Sequence, residues 1–99
     1  MTATQSQVGR ELPRYRSHKD VWALKIKAIR QASAQESTPS GEPARLIIIP
    51  EESGYAPFGV THEYMHKHDP KVGGYWVVYK DDYQSWSPAE AFEEGYTKV

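Results

Sequence analysis

The sequence predicts a small α+β domain. An antiparallel sheet of about five strands would carry one short capped helix near the C-terminus, with room for a second short helix. Three observations predict this class. Apolar runs are short, rich in β-branched and aromatic residues, and bounded by Pro and Gly. Gly74–Lys80 and Tyr83–Trp86 flank Asp81-Asp82, the pattern of a hairpin. Ser87-Pro88-Ala89-Glu90 then reads as a helix start, with Ser as the cap, Pro at the first helical position and Glu three residues on. With 99 residues, one domain is expected.

Taken in order, residues 1–13 are polar, end in Leu12-Pro13 and are expected to form a flexible arm. Residues 14–99 form the domain. In segment 20–30, Trp22, Leu24, Ile26 and Ala28 alternate with Ala23, Lys25 and Lys27, which is the strand period. A helix capped by Asp20 and carrying Val21, Leu24 and Ala28 is the alternative. Residues 31–43, QASAQESTPSGEP, lack periodicity and read as a long polar loop. Ala44–Pro50 reads as a buried strand. Tyr55–Val60, broken by Pro57 and Gly59, reads as an edge or bulged strand. Thr61 can cap a short helix over His62–His68, which Asp69-Pro70 would stop. The last helix should run from about Pro88 to Glu94, end on Gly95 in the left-handed conformation, and release Tyr96–Val99 as a short final strand.

Composition narrows the function classes. The chain has no cysteine, so disulfides, thiolate metal sites and a Cys nucleophile are excluded. It has no apolar run of about 18 residues to cross a membrane. The N-terminus lacks the apolar core of a secretory signal, so the cytoplasm is the expected location. A net charge of −1 argues against general nucleic-acid binding. Charge is nonetheless uneven. Residues 1–45 hold eight Lys/Arg against four Asp/Glu, and residues 46–99 hold four against nine. The two halves can attract each other within one chain or between copies.

Two patterns could carry chemistry. His62-Glu63-Tyr64-Met65-His66 matches H-E-x-x-H, in which a helix places two histidines on one face to hold zinc, with the Glu as general base. The segment is short, and a third ligand would have to come from elsewhere, Glu90, Glu93 or Glu94 being candidates. The expected reading is a non-enzymatic protein without cofactor, in which His62 and His66 are the residues that would bind a metal if one were held. The second pattern is aromatic. Three Trp and seven Tyr are more rings than so short a chain can fully bury. Tyr75, Tyr79 and Trp86 on the hairpin could stack a planar ligand, and Arg16, His18 and Lys19 could hold its phosphate.

Tyr15-Arg16-Ser17-His18-Lys19-Asp20-Val21-Trp22-Ala23-Leu24-Lys25-Ile26 resembles the opening of small phage and prophage proteins of uncharacterised function. Gly73–Tyr79 followed by Ser87–Tyr96 resembles their ending. These blocks cover about half of the chain, and the C-terminal one is the more specific. The usual hairpin turn there is Asp-Gly, where this sequence has Asp81-Asp82. The layout is also similar to phage anti-defence proteins of the Thoeris-inhibitor kind, which sequester nucleotide immune signals in pockets of a homo-oligomer. The resemblance implies a phage-encoded protein acting in the cytoplasm of an infected bacterial host. It would bind a small anionic or nucleotide-like ligand as a homo-oligomer. The alternative is a phage protein that docks an aromatic face on a host defence protein or another protein.

Overall fold

The alternating segment at the start of the domain becomes the longest strand. In the computed structural model, which describes residues 21–98, β1 spans Trp22–Gln31. It is followed by β2 (Leu46–Pro50), β3 (Phe58–Val60), α1 (His62–His68), β4 (Tyr75–Val78), β5 (Gln84–Ser87) and α2 (Ala89–Gly95). The five strands form one antiparallel sheet in the order β3-β2-β1-β4-β5. The predicted α+β class is therefore the observed one. With a helix between β3 and β4, this is the connectivity of a five-stranded OB-type barrel.

β1 holds the sheet together because it pairs with β2 over one half and with β4 over the other. A bulge makes this possible. Ile26 pairs with Pro50 and Ala28 with Ile49, so β1 carries one residue, Lys27, that β2 does not match. Strict alternation would put Ala28 on the face of Leu24 and Ile26. The extra residue shifts the phase, and Ile29 packs against the core instead.

The bulge also adds twist, and the sheet curls. On a flat sheet, neighbouring strands lie about 4.8 Å apart, so β3 and β4 would sit about 14 Å from each other. Yet the rings of Phe58 on β3 and Trp76 on β4 have centroids 4.4 Å apart. The concave face then closes over Ile26, Ile48, Val60 and Tyr64, all buried, with Ile29, Leu46, Phe58, Trp76 and Trp86 packed around them.

α1 fills the gap between the two edge strands. Its start and stop are those read from the sequence. Thr61 Oγ1 accepts from the Tyr64 backbone N–H at 3.0 Å, and Asp69 takes the left-handed conformation (φ 45°) ahead of Pro70. One turn in, the buried Tyr64 hydroxyl donates to the Ser85 carbonyl of β5 at 2.7 Å. The helix thereby ties β5 to the end of β3.

The C-terminal segment departs from expectation in three ways. Ser87 does not cap α2, because it is held in the ladder opposite Tyr75. Pro88 takes the cap position, with no side-chain hydrogen bond. Gly95 is the last helical residue rather than a left-handed stop, and the chain leaves through an extended Tyr96 (φ −135°). Tyr96–Lys98 forms no strand, since the Tyr96 ring stacks on Phe92 (4.7 Å) instead of joining the sheet.

Gln31, expected in the loop, ends β1 opposite Leu46, and the rest of the 31–43 segment is a folded loop. Ser37 and Pro43 make a β-bridge, and the Thr38 N–H donates to the Glu42 carbonyl at 2.7 Å. The Arg30 guanidinium grips Glu36 through both oxygens (2.9 and 2.7 Å). This pairing, with the Ser33 backbone N–H, pulls the Glu36 carboxyl down to about 2.

Candidate functional site: an aromatic groove

The β1–β2 loop, α1 and the β4–β5 turn enclose an open groove of about 920 Å³. Each wall follows from a local feature already described. The folded β1–β2 loop brings Thr38 and Glu42 to one side, and the capped helix presents Glu63 and Lys67. The β4–β5 turn supplies Asp82 and Tyr83. That turn works without the usual glycine, because Asp82 itself adopts the left-handed conformation (φ 68°) and Asp81 Oδ1 accepts from the Tyr83 N–H at 3.1 Å.

The floor is aromatic. Phe58 and Trp76 meet there, and Trp76 Nε1 donates to Gln84 Oε1 at 3.1 Å. Val78 extends the floor. Trp22 pairs with Val78 across the strands, so its side chain shares that face, and it is 56% exposed. Tyr83, 41% exposed, lines the groove at the β4–β5 turn. The alternation of the hairpin alone did not single out Trp22, Phe58 or Trp76 as site residues. They come together through the β1–β4 register and the curl of the sheet.

The three rings expected to stack a ligand lie apart. Tyr75 is on the opposite face from Trp76. It stacks on Phe92 of α2 (4.3 Å, 24°) and donates its hydroxyl to Glu93 at 2.8 Å. That bond raises the Tyr75 phenol to about 12. Trp86 pairs with Trp76 on the concave face, lies against Gly74 and packs on the core. Tyr79 stacks on Tyr83 (6.0 Å, 11°) at the turn. Arg16, His18 and Lys19 lie outside the described residues, as does the 1–13 arm.

His62 and His66 do share a face of α1, with rings stacked at 6.0 Å. Among the described residues, no third His, Asp, Glu or Cys joins them to complete a metal cluster. The third histidine of the helix serves the turn. His68 Nε2 lies 3.2 Å from the Tyr83 hydroxyl, and its ring packs on Tyr64 (4.9 Å). Lys67 reaches over the Tyr83 ring at 5.0 Å. Burial and the neighbouring Lys67 charge lower the His68 pKa, while a hydrogen bond with the Gln84 backbone opposes them.

A lowered folded-state pKa means that the unfolded chain takes the proton first. The stabilising contribution of neutral His68 is therefore present above the ordinary imidazole value. It is lost as pH falls toward the lowered one, below which the loss levels off. In an NMR titration, His68 is expected to show a midpoint below the usual ~6.5. A midpoint at or above that value would contradict the packing described.

No helix among the described residues is long and apolar enough to cross a membrane. No protein-family model matches the chain, and no curated protein matches it. Among solved structures, it is similar to the monomeric form of the phage L decoration protein, determined in solution by NMR. The two are 24% identical, with a TM-score of 0.58. The likeness covers 83% of this chain and 54% of that one, so the chain spans about half the length of the decoration protein. It shows a shared fold.

Proposed function

We propose that this chain is a small, non-enzymatic phage protein that docks on a partner protein through the groove between the β1–β2 loop and the β4–β5 turn. One observation carries the reading. Tyr83 stands exposed in the groove, Trp22 stands exposed next to Val78 on the same sheet face, and exposed aromatic anchors beside a groove are what protein interfaces use. The similarity in fold to a phage decoration protein supports an attachment role, and the resemblance of 15–26 and of the C-terminal blocks to phage proteins of uncharacterised function supports a phage origin. Fold alone does not assign function, so the groove bears the weight. Homo-oligomer formation would present several such grooves together.

A nucleotide-like ligand sequestered against host defence is the less supported reading. All three of its stacking rings already have partners inside the fold, Tyr75 on Phe92, Trp86 against Gly74 and Tyr79 on Tyr83.

A capture experiment separates the two. The tagged protein and a Trp22→Ala/Tyr83→Ala variant, both confirmed as folded by circular dichroism, are exposed to lysate of phage-infected cells. One stoichiometric protein retained by the parent and lost by the variant is the expected result. A nucleotide released from the parent on denaturation, with no protein partner, would overturn the docking reading.

A further inference from the structure

The groove combines two features that together specify the chemistry of its occupant. Its floor is aromatic, and each of its three walls contributes a carboxylate: Glu42 from the β1–β2 loop, Glu63 from α1 and Asp82 from the β4–β5 turn. Among the described residues, none of these carboxylates is in an ion pair. The ion pairs there are Lys25–Glu93, Arg30–Glu36, Lys71–Asp69 and Lys98–Glu52. Among the described residues that line the groove, Lys67 is the only Lys or Arg; it is drawn over the Tyr83 ring, and Glu63 also acts on its charge.

Covering this groove therefore removes water from carboxylates that have no ion pair among the described residues. A neutral apolar occupant would take them out of water without offering a partner, which opposes binding. A polyanion, whether nucleic acid or an acidic lipid surface, would add repulsion to that cost. An occupant that carries a cation offsets it, and the aromatic floor favours the same cation through its ring faces. Arg suits the site best, since its planar fork can meet a carboxylate edge-on while it stacks on Trp76.

Resting on the docking reading above, we propose that the groove takes a basic segment of its protein partner. In that segment a Lys or Arg side chain lies between Glu42, Glu63 and Asp82, with apolar neighbours on the Phe58–Trp76 floor.

Selection of the immobilised full-length protein against a random dodecapeptide display library tests this. The expected consensus carries Arg or Lys next to aliphatic or aromatic residues. Synthetic peptide of that consensus should bind more weakly as salt rises. It should lose about tenfold in affinity to Glu63→Lys and to Glu42→Lys, two exposed changes on different elements. Circular dichroism of both variants guards against a folding defect. Peptides that lose affinity to Trp22→Ala/Tyr83→Ala but are acidic or uncharged would overturn the basic-segment inference and leave groove docking intact. Peptides indifferent to all of these variants would overturn both. Failure to enrich any peptide would overturn the inference, and the lysate capture would then decide the docking reading alone.

Discussion

Ile26→Ala is expected to destabilise the domain by about 3 kcal/mol, because it deletes a fully buried side chain from the centre of the core. Ile26 packs with Ile48, Val60 and Tyr64, so the void would lie under β1, β2, β3 and α1 together. The backbone there cannot collapse freely. Ile26 N–H donates to the Gly74 carbonyl at 2.8 Å, and the Ile26 carbonyl accepts from Gly73 at 2.9 Å. Urea unfolding followed by tryptophan fluorescence measures the change as a shift in midpoint. The adjacent bulge makes a sharper comparison. Ile29→Ala is expected to cost about 2 kcal/mol, since the phase shift at Lys27 turns Ile29 inward. Under uninterrupted alternation Ile29 would face away from Ile26, and the same substitution would leave the Ile26 cluster intact. A loss below about 0.5 kcal/mol for Ile29→Ala would sink the bulged register, because that is the range of ordinary surface changes.

Gly74→Ala is expected to cost about 2 kcal/mol, from overpacking rather than from a void. A Cβ at position 74 would come within 2.5 Å of the Trp86 Cε2 and Nε1 atoms. The indole has little room to retreat, since Trp86 lies opposite Trp76 and packs against the core. Its Nε1 also donates to the Lys71 carbonyl, at 3.3 Å. The clash forces either the ring or the β1–β4 junction to move. Thermal unfolding should show the midpoint falling by roughly 8–16 °C for a domain of this size. A second variant identifies the cause. In Gly74→Ala/Trp86→Leu the two losses should be strongly non-additive, because the smaller side chain relieves the clash. Additive losses would mean that the glycine matters for its backbone rather than for the indole above it.

Legibility in the sequence followed the range of the interactions involved. The limits of α1 were readable because Thr61, Asp69 and Pro70 act on their own neighbours through hydrogen bonds and sterics. The β4–β5 hairpin was readable from the apolar runs on either side of Asp81-Asp82, even with Asp82 in the place where glycine is usual. Both ends of α2 differ from the local reading for a related reason. Ser87 has the local chemistry of a cap, but a longer-range demand, its pairing with Tyr75, claims it for the strand. Gly95 likewise could have ended the helix in the left-handed form. The Phe92–Tyr96 ring stack goes instead with an extended exit through Tyr96.

The aromatic surplus shows the same division. Tyr75 and Trp86 were expected to serve a ligand, and the alternation of β4 did separate Tyr75 from Trp76 correctly. What alternation lacks is the identity of the element that lies over each face. α2 takes Tyr75 through Phe92, and the core takes Trp86, while Trp22 at the start of β1 remains open beside Val78.

The sequence by itself therefore left open strand or helix for 20–30 and the short helix over His62–His68, while it determined the α+β class, the approximate place of four of the strands, the C-terminal helix and the absence of cysteine chemistry. All of these depend on composition, period or residues within a few positions of one another. Only the tertiary structure decided the phase of β1 after Lys27, the closure that brings Phe58 to Trp76, and the groove between them. Those depend on segments 38–42, 58–68 and 76–84 meeting in space. Strand register and sheet curl set that meeting, and no local pattern encodes either.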